Sequence, residues 1–443
     1  MRPDGPGTWS ISTLDQILLT AAIVLVVFGL LYGMSLLAAS RRPPRHRKNA
    51  GADQDGEMFF VFVLPCLDED RVIANSVRRL LAIPGDNYAV LVVDDASADD
   101  TVAAVESIDD PRVWLYRRTL PEARQGKGAA LNAGLRHLVA GPLRDADPQR
   151  TVVAIVDADG RLEPQALVEV TPYFGDPGVA AVQVGVRINN RFTSRLARMQ
   201  DMEFVIYTEV FQRGRRHLRS VGLGGNGQFM RLAALQSLGE SPWSHSLTED
   251  LDLAVRLLAE GWHNEFCHTA AVHQQGVPEL RRLVRQRSRW FQGHLMSMRL
   301  VPKVLREVPG PAAPDLVYHL TGPVLLLAAS CLTGSFLISA LASLLYATSG
   351  HNPAGWWLLW TYLLSFGPAL AYSAIYWRRE RAQGPGLVRC LGWAHLYTVY
   401  GLMWYAAGWW AVARIVRGQH SWAKTGRAVE GAEVIAVRAG GPR

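Results

Sequence analysis

Asp157 and Asp159, in "VDADG", are two carboxylates separated by one small residue. On an extended chain end that spacing turns both to one side. Hard oxygen ligands so placed suit a divalent cation, which can bridge a diphosphate and offset charge on a departing phosphate. Asp94 and Asp95, in "VVDDAS", form a second acidic pair, where ordinary turn chemistry is an equal alternative. Lys127 lies between two glycines in "QGKGAALN". An ammonium at a helix N-terminus favours an anion, although a solvated surface lysine fits as well. The P-loop spacing is missing. Thr248-Glu249-Asp250 precedes an amphipathic pattern with Leu251, Leu253, Val255, Leu257 and Leu258 as its apolar residues. A helix cap with acidic residues in its first turn explains the Thr, but does not require three such groups in a row. Finally, "QRSRWFQGH", Gln286 to His294, sits in a basic, helix-patterned segment just before long apolar runs.

The segments around these residues alternate short apolar strands with helices. "MFFVFVLPCL", "YAVLVVDDAS" and "RTVVAIVDADG" read as buried strands, and "RVIANSVRRLL" and "GKGAALNAGLRHLV" as helices. Strands apolar throughout and alternating with helices predict a parallel sheet covered on both faces. Ligands then bind beyond the carboxyl ends of the strands, where the carboxylates lie.

Hydrophobic residues make up 49% of the 443, unevenly spread. Ile17 to Ala39 carries no charge and is long enough to cross a bilayer; its length and the lack of a basic segment immediately before it argue against a signal peptide. The basic "SRRPPRHRKN" that follows is expected on the cytoplasmic side, with the N-terminus outside. Val324 to Ala347 and Gly355 to Trp377 read as further spans, the latter bounded by Trp356, Trp357, Trp360 and Trp377. The block Leu391 to Ala413 has basic residues on both flanks, so a span and a re-entrant segment stay open. The four cysteines are scattered, without metal or disulfide spacing. The net charge of +7 lies mostly beside apolar blocks, where anionic lipid explains it and nucleic acid is not needed.

In order, the chain carries "VLPCLDED", "VVDDAS", "GKGAALN", "VDADG", "GGNGQFMR", "TED" and "QRSRW". This series resembles the inverting family 2 glycosyltransferases, and among them the membrane-embedded poly-N-acetylglucosamine, cellulose and hyaluronan synthases. The resemblance implies an α/β, GT-A-like, Rossmann-type nucleotide-sugar domain between transmembrane helices. It divides the chain into a membrane helix with basic flank (1–48), a cytoplasmic transferase domain (49–276), an amphipathic interface helix (277–313), a membrane region (314–413) and a basic cytoplasmic tail (414–443). It makes Asp250 the general base, with Glu249 and Thr248 beside it. Pro65, Glu69, Asp94, Asp95, Lys127, Asp157, Gln286 and Arg289 become donor-binding residues. Asp157 and Asp159 become ligands of Mg2+ or Mn2+, and Trp290, Asn226 and Gln228 acceptor-binding residues. Two positions depart from the pattern: Asp68-Glu69 stands where Asn-Glu is usual, and "GGNGQFMR" replaces the cellulose-synthase motif before the base.

Arg289 can donate two hydrogen bonds to phosphate, and Trp290 offers an apolar face for a sugar ring. The helical period of Leu280, Leu283, Val284, Phe291, Leu295 and Met298 predicts a helix lying along the membrane surface. The resulting expectation is a multi-pass cell-membrane enzyme that extends a β-linked polysaccharide from a UDP-sugar, processively and coupled to export. Its partners would be the donor, a glycan or lipid acceptor, membrane lipids and a small membrane or export subunit. The alternative is a lipid glycosyltransferase adding one or a few sugars to a membrane lipid.

Overall fold

The computed structural model describes residues 13–43, 57–348, 355–381 and 386–419. The N-terminal residues, most of the basic flank, and the tail from 420 onward, with its "SWAKTGR", lie outside the described residues, as do the side chains of Trp356, Trp357 and Trp360.

Eight strands form one sheet: β1 Phe59–Cys66, β2 Tyr88–Asp94, β3 Val113–Arg117, β4 Thr151–Ile155, β5 Arg161–Leu162, β6 Val179–Ile188, β7 Gln228–Arg231 and β8 His263–Gln274. Their order is β3-β2-β1-β4-β7-β6-β8-β5. The first four strands are parallel; the unbroken apolar runs of β1, β2 and β4 predict this, and the half-buried edge strand β3 joins them unannounced. Helix Ile73–Leu81 packs on one face, over Phe60, Phe62 and Val90. Helix Lys127–Ala140 covers the other, over Val61, Val63 and Val93.

The far half departs from the expectation of a purely parallel sheet. β7 runs antiparallel to both β4 and β6, and β5 antiparallel to β8, while β6 and β8 are parallel. β7 is four residues long, too short for an apolar run to announce it. Its Phe229 nevertheless lies edge-on to Phe60 and Phe62, joining the two halves in one core.

Of the apolar blocks, Thr13–Ser40, Ala312–Thr348 and Gly355–Glu380 are helices. By length and composition, one segment among the described residues can cross a membrane, Ala312–Thr333. The expected set of several spans is therefore not reproduced. The block 391–413 divides at Leu402 into helices Leu387–Gly401 and Met403–Val416. The second lies against helix Leu280–Ser297, with Phe291 seated on Gly408 and Arg414 Nε donating to Gln292 Oε1 at 2.8 Å. Leu280–Ser297 is thus held between other elements and is not a free surface helix. Its Arg281, Arg282 and Arg285 remain exposed, as its period predicts.

The stretch after β6 forms helix Arg195–Ile206, a π-helical turn Tyr207–Gln212 and helix Arg213–Leu218. It ties the sheet to the apolar helices. Arg187 of β6 pairs with Asp201 at 2.9 Å and with Glu380, the last residue of Gly355–Glu380, at 2.6 Å. Arg191 reaches Glu380 at 3.2 Å, and Tyr376 Oη donates to Asp201 at 2.9 Å. Two cations, two carboxylates and a phenol thus satisfy one another out of water, as buried charges must.

Candidate active site

β1, β2 and β4 end side by side: Cys66 is level with Asp94 and Val63 with Ile155. The loops beyond these ends carry the acidic residues. Asp94 accepts the Ser97 N–H at 3.3 Å, and Asp95 is ion-paired with Arg118. Burial pushes the Asp95 carboxyl up, and hydrogen bonding at Arg124 and the Arg118 charge oppose it. Here the turn chemistry is realised, and both carboxylates are engaged within the protein. Pro65 lies half-buried on β1 opposite Val93. Glu69 is buried, and its N–H donates to Thr101 Oγ1 at 2.7 Å.

Lys127 begins its helix after Gly126, but it is not a surface lysine. Its Nζ donates to Asp157 Oδ1 at 2.5 Å and to the Gly225 carbonyl at 2.8 Å, with Glu249 Oε1 at 4.0 Å. One ammonium therefore collects residues from three motifs that are far apart in sequence. Burial, then the neighbouring Asp250, push the Glu249 carboxyl up to about 7, against the Lys127 charge. Burial also raises Asp250. Both carboxylates are thus raised, and Glu249 sits where it can hold or release a proton near neutrality, as proton-transfer chemistry needs.

Gly225, at φ +71°, packs against this cluster, and a Cβ there would come within 2.9 Å of Asp250 Oδ2. Thr248 does not cap its helix through its side chain. Its Oγ1 lies 3.3 Å from Ser297 Oγ and 3.4 Å from Ser246 Oγ. A Cβ on Gly293 would meet Thr248 Cγ2 at 2.7 Å. Thr248 thus fixes the acidic turn onto the helix bearing "QRSRW".

The two expected metal ligands differ. Asp157 is partly exposed, its side chain 27% accessible. Asp159 is fully buried and accepts the Gln275 N–H at 3.3 Å, which fixes the loop from behind. No three His, Cys, Asp or Glu side chains come together as a metal cage among the described residues. The Asp157 oxygens nonetheless fit an ion that takes one or two protein carboxylates and completes its shell with phosphate oxygens. The proposed acceptor residues Asn226 and Gln228 are also turned inward. Asn226 accepts the Asp157 N–H at 3.1 Å and donates to Gln274 at 3.1 Å, and Gln228 is fully buried in β7. Neither is open to an acceptor, because both side chains belong to the sheet and its loop.

On helix Leu280–Ser297, Gln286, Arg289 and Trp290 are all half-buried. Sequence reasoning missed Arg287, which lies between them and is 1% exposed. Its Nη2 donates to Glu203 at 2.7 Å. The same carboxylate accepts Tyr400 Oη at 2.7 Å and Trp404 Nε1 at 2.8 Å. The Arg287 guanidinium lies 4.0 Å over the Trp290 ring. One face of Trp290 is therefore covered, which leaves only the other for a sugar.

Residues 58–293, more than half of the chain, match the family model described as glycosyltransferase like family 2. The chain belongs to this family. It is 33% identical over 292 residues to a β-monoglucosyldiacylglycerol synthase of Trichormus variabilis, covering 62% of this chain and 58% of that protein. To the synthase of the same name from Synechocystis sp. it is 33% identical over 232 residues, covering 51% and 46%. The chain thus spans about half the length of these relatives. A mannosyltransferase of Pyrobaculum calidifontis, solved with GDP-Man and Mn2+, superposes with a TM-score of 0.55 at 22% identity, covering 80% of this chain and 96% of that one. The fold of this family 2 member is accordingly GT-A-like. The expectation of a processive polysaccharide synthase is overturned, because these family members are named for adding one sugar to a lipid.

Proposed function

We propose that the chain is an inverting glycosyltransferase that moves one sugar from a UDP-sugar to the hydroxyl of a membrane glycerolipid, giving a β-glycoside. The observation that carries this reading is the seating of the Glu249–Asp250 turn. It is fastened through Thr248, Gly293 and Ser297 to a helix packed against the apolar helices, which keeps the base close to the elements that would meet a membrane lipid. The relatives named for monoglucosyldiacylglycerol synthesis support the acceptor class.

Asp250, with Glu249 beside it, takes the proton of the acceptor hydroxyl as that oxygen attacks the anomeric carbon and UDP departs. A single displacement inverts an α-linked donor to a β-linked product. The Lys127 charge favours the ionised forms of these carboxylates and works against their burial. Mg2+ or Mn2+ would be held at Asp157, with Asp159 fixing the loop, and supplies positive charge to the leaving diphosphate when bound. Arg289, on the helix that Thr248 touches, would be a further phosphate donor, and Asp94, at the end of β2, would meet the uracil. The apolar helices would place the enzyme at a cell membrane with its transferase domain on the cytoplasmic side.

The test is purified full-length protein in lipid nanodiscs, with UDP-glucose, UDP-galactose or UDP-N-acetylglucosamine, Mn2+ and diacylglycerol. The expected product is a lipid carrying one sugar on thin-layer chromatography, with one UDP released per sugar. Water-soluble polymer, or UDP release that does not depend on lipid, would refute it.

A further inference from the structure

Between the catalytic carboxylates and the apolar helices lies a buried polar cluster that the transfer chemistry leaves unused. Arg215, on helix Arg213–Leu218, is 2% exposed. Its Nε lies 3.2 Å from Asp315 Oδ2, and its Nη2 donates to Tyr32 Oη at 3.1 Å. Tyr32 in turn donates to Asp315 Oδ1 at 2.8 Å. Tyr32 belongs to the N-terminal apolar helix, and Asp315 to the start of the membrane-crossing segment Ala312–Thr333. Ionisable residues at such a position mark function more often than stability.

Two features show that the cluster is built for something beyond joining helices. Arg215 Nη1 has no hydrogen-bond partner among the described residues, although its surroundings exclude water. A buried donor left unfilled is costly, so native proteins rarely keep one without a use. The cluster also continues toward the reaction centre through Tyr207, the first residue of the π-helical turn. Such turns recur at functional sites. The Tyr207 hydroxyl lies against the glycine loop: a Cβ on Gly222 would stand 3.7 Å from it, and one on Gly225, three residues on, meets Asp250. Phe211 joins Tyr207 to the cluster: its ring stacks on that of Tyr207 and tilts against that of Tyr32, each with centroids 6.4 Å apart. The apolar helices, Arg215, Tyr207 and the base therefore follow one another in space.

We infer that Arg215 and Tyr207 form the acceptor headgroup site, with Arg215 Nη1 and Tyr207 Oη donating to an ester carbonyl oxygen beside the reacting hydroxyl of a diacylglycerol. The inference rests on the lipid-acceptor reading and adds to it the functional group that is recognised. Asp315 decides between an ester and a phosphate. It neutralises Arg215, so the site offers hydrogen-bond donors without net positive charge, and a neutral oxygen satisfies it where a phosphate would not be balanced.

The experiment compares a 1,2-diacylglycerol with the 1,2-dialkylglycerol ether of the same chain length, which keeps the hydroxyl and lacks both carbonyls. Full-length enzyme in nanodiscs is assayed for transfer from its UDP-sugar. The wild type is expected to favour the ester in kcat/KM by about tenfold, the scale of one well-made hydrogen bond to a charged group. Tyr207→Phe and Arg215→Lys should each shrink that advantage several-fold, with the KM for the UDP-sugar unchanged. Arg215→Lys keeps a cation beside Asp315, and Tyr207→Phe removes only a hydroxyl, so at least one variant will fold. Equal use of ester and ether by the wild type overturns the inference and leaves the lipid reading standing. So does an ester advantage that survives Tyr207→Phe, or a preference for a phosphate-bearing lipid. Transfer to no lipid at all overturns the proposed function instead.

Discussion

Replacing Lys127 by Met removes the one cation at the centre of three carboxylates. Its Nζ is 2.5 Å from Asp157 and 4.0 Å from Glu249. At 4 Å and an effective permittivity of about 20, a unit charge is worth about 4 kcal/mol. With about 1.4 kcal/mol per pKa unit, that sets a ceiling of about three units. The Lys127 side chain is 17% and that of Glu249 10% accessible, so screening takes part of this. An upward shift of about one to two units is the working value. The sign follows from the charges: the ammonium favours ionised carboxylates, and without it they keep their protons to higher pH. Burial and Asp250 already hold Glu249 near 7 with Lys127 in place. The acidic limb of the pH dependence of kcat/KM should therefore move up by about one to two pH units. The assay is lipid-dependent UDP release from pH 5.5 to 9.5, with Lys127→Arg as the charge-retaining control whose limb stays near that of the wild type. If Lys127→Met slows transfer at every pH while the limb stays in place, Lys127 serves the donor alone, and its role in keeping the base ionised is wrong.

Glu249→Gln should stabilise the protein at pH 8 and do little at pH 5. The raised carboxyl makes ionisation unfavourable in the fold, and the wild type loses stability as pH rises from about 4.5 through about 7; a Tm difference equal at both pH values would contradict this. Asp250→Asn should cut transfer by ~10²–10⁴-fold, the usual worth of a general base, while calorimetry still detects UDP-sugar binding. Gly225→Ala should lower kcat severely, since it combines a left-handed φ with a Cβ 2.9 Å from Asp250; a near-normal kcat would show that the loop yields freely. Excess EDTA should abolish transfer and Mn2+ restore it, with Asp157→Asn far less restorable; full activity in EDTA would remove the metal from the mechanism.

Strands β1, β2 and β4 were legible because each is a continuous apolar run beside helical periodicity, whereas β3, a half-buried edge strand that ends in Arg117, was not. The meeting of Lys127, Asp157 and the Thr248–Asp250 turn was legible only through motif order, since spacing within each motif does not reveal which motifs touch. The inward turn of Asp159 was hidden, because one intervening residue predicts a shared side but not the nearby Gln275 N–H that claims the carboxylate. Arg287 was hidden for a different reason. Its partners Glu203, Tyr400 and Trp404 come from segments about a hundred residues before and after it, so the period of its own helix marked the position as one more basic residue. The left-handed Gly225 and close-packed Gly293 carry no sequence signal beyond being glycine.

The paired charges that clamp β6 to Glu380 give the molecule a fixed height. Glu380 is the foot of a 26-residue apolar helix, and through Arg187 and Asp201 that foot is pinned into the catalytic sheet. For an enzyme whose acceptor stays in the bilayer, the distance from reaction centre to acyl chains must hold within the reach of a short headgroup. Under the proposed lipid acceptor the helix would act as a ruler between bilayer and sheet, and membrane thickness would become a variable in transfer. Lipids that lift or sink the helix would raise or lower the base relative to the hydroxyl it must deprotonate. A transferase domain cut free before residue 314 would lose this reference and expose the Arg187–Asp201 pair to water.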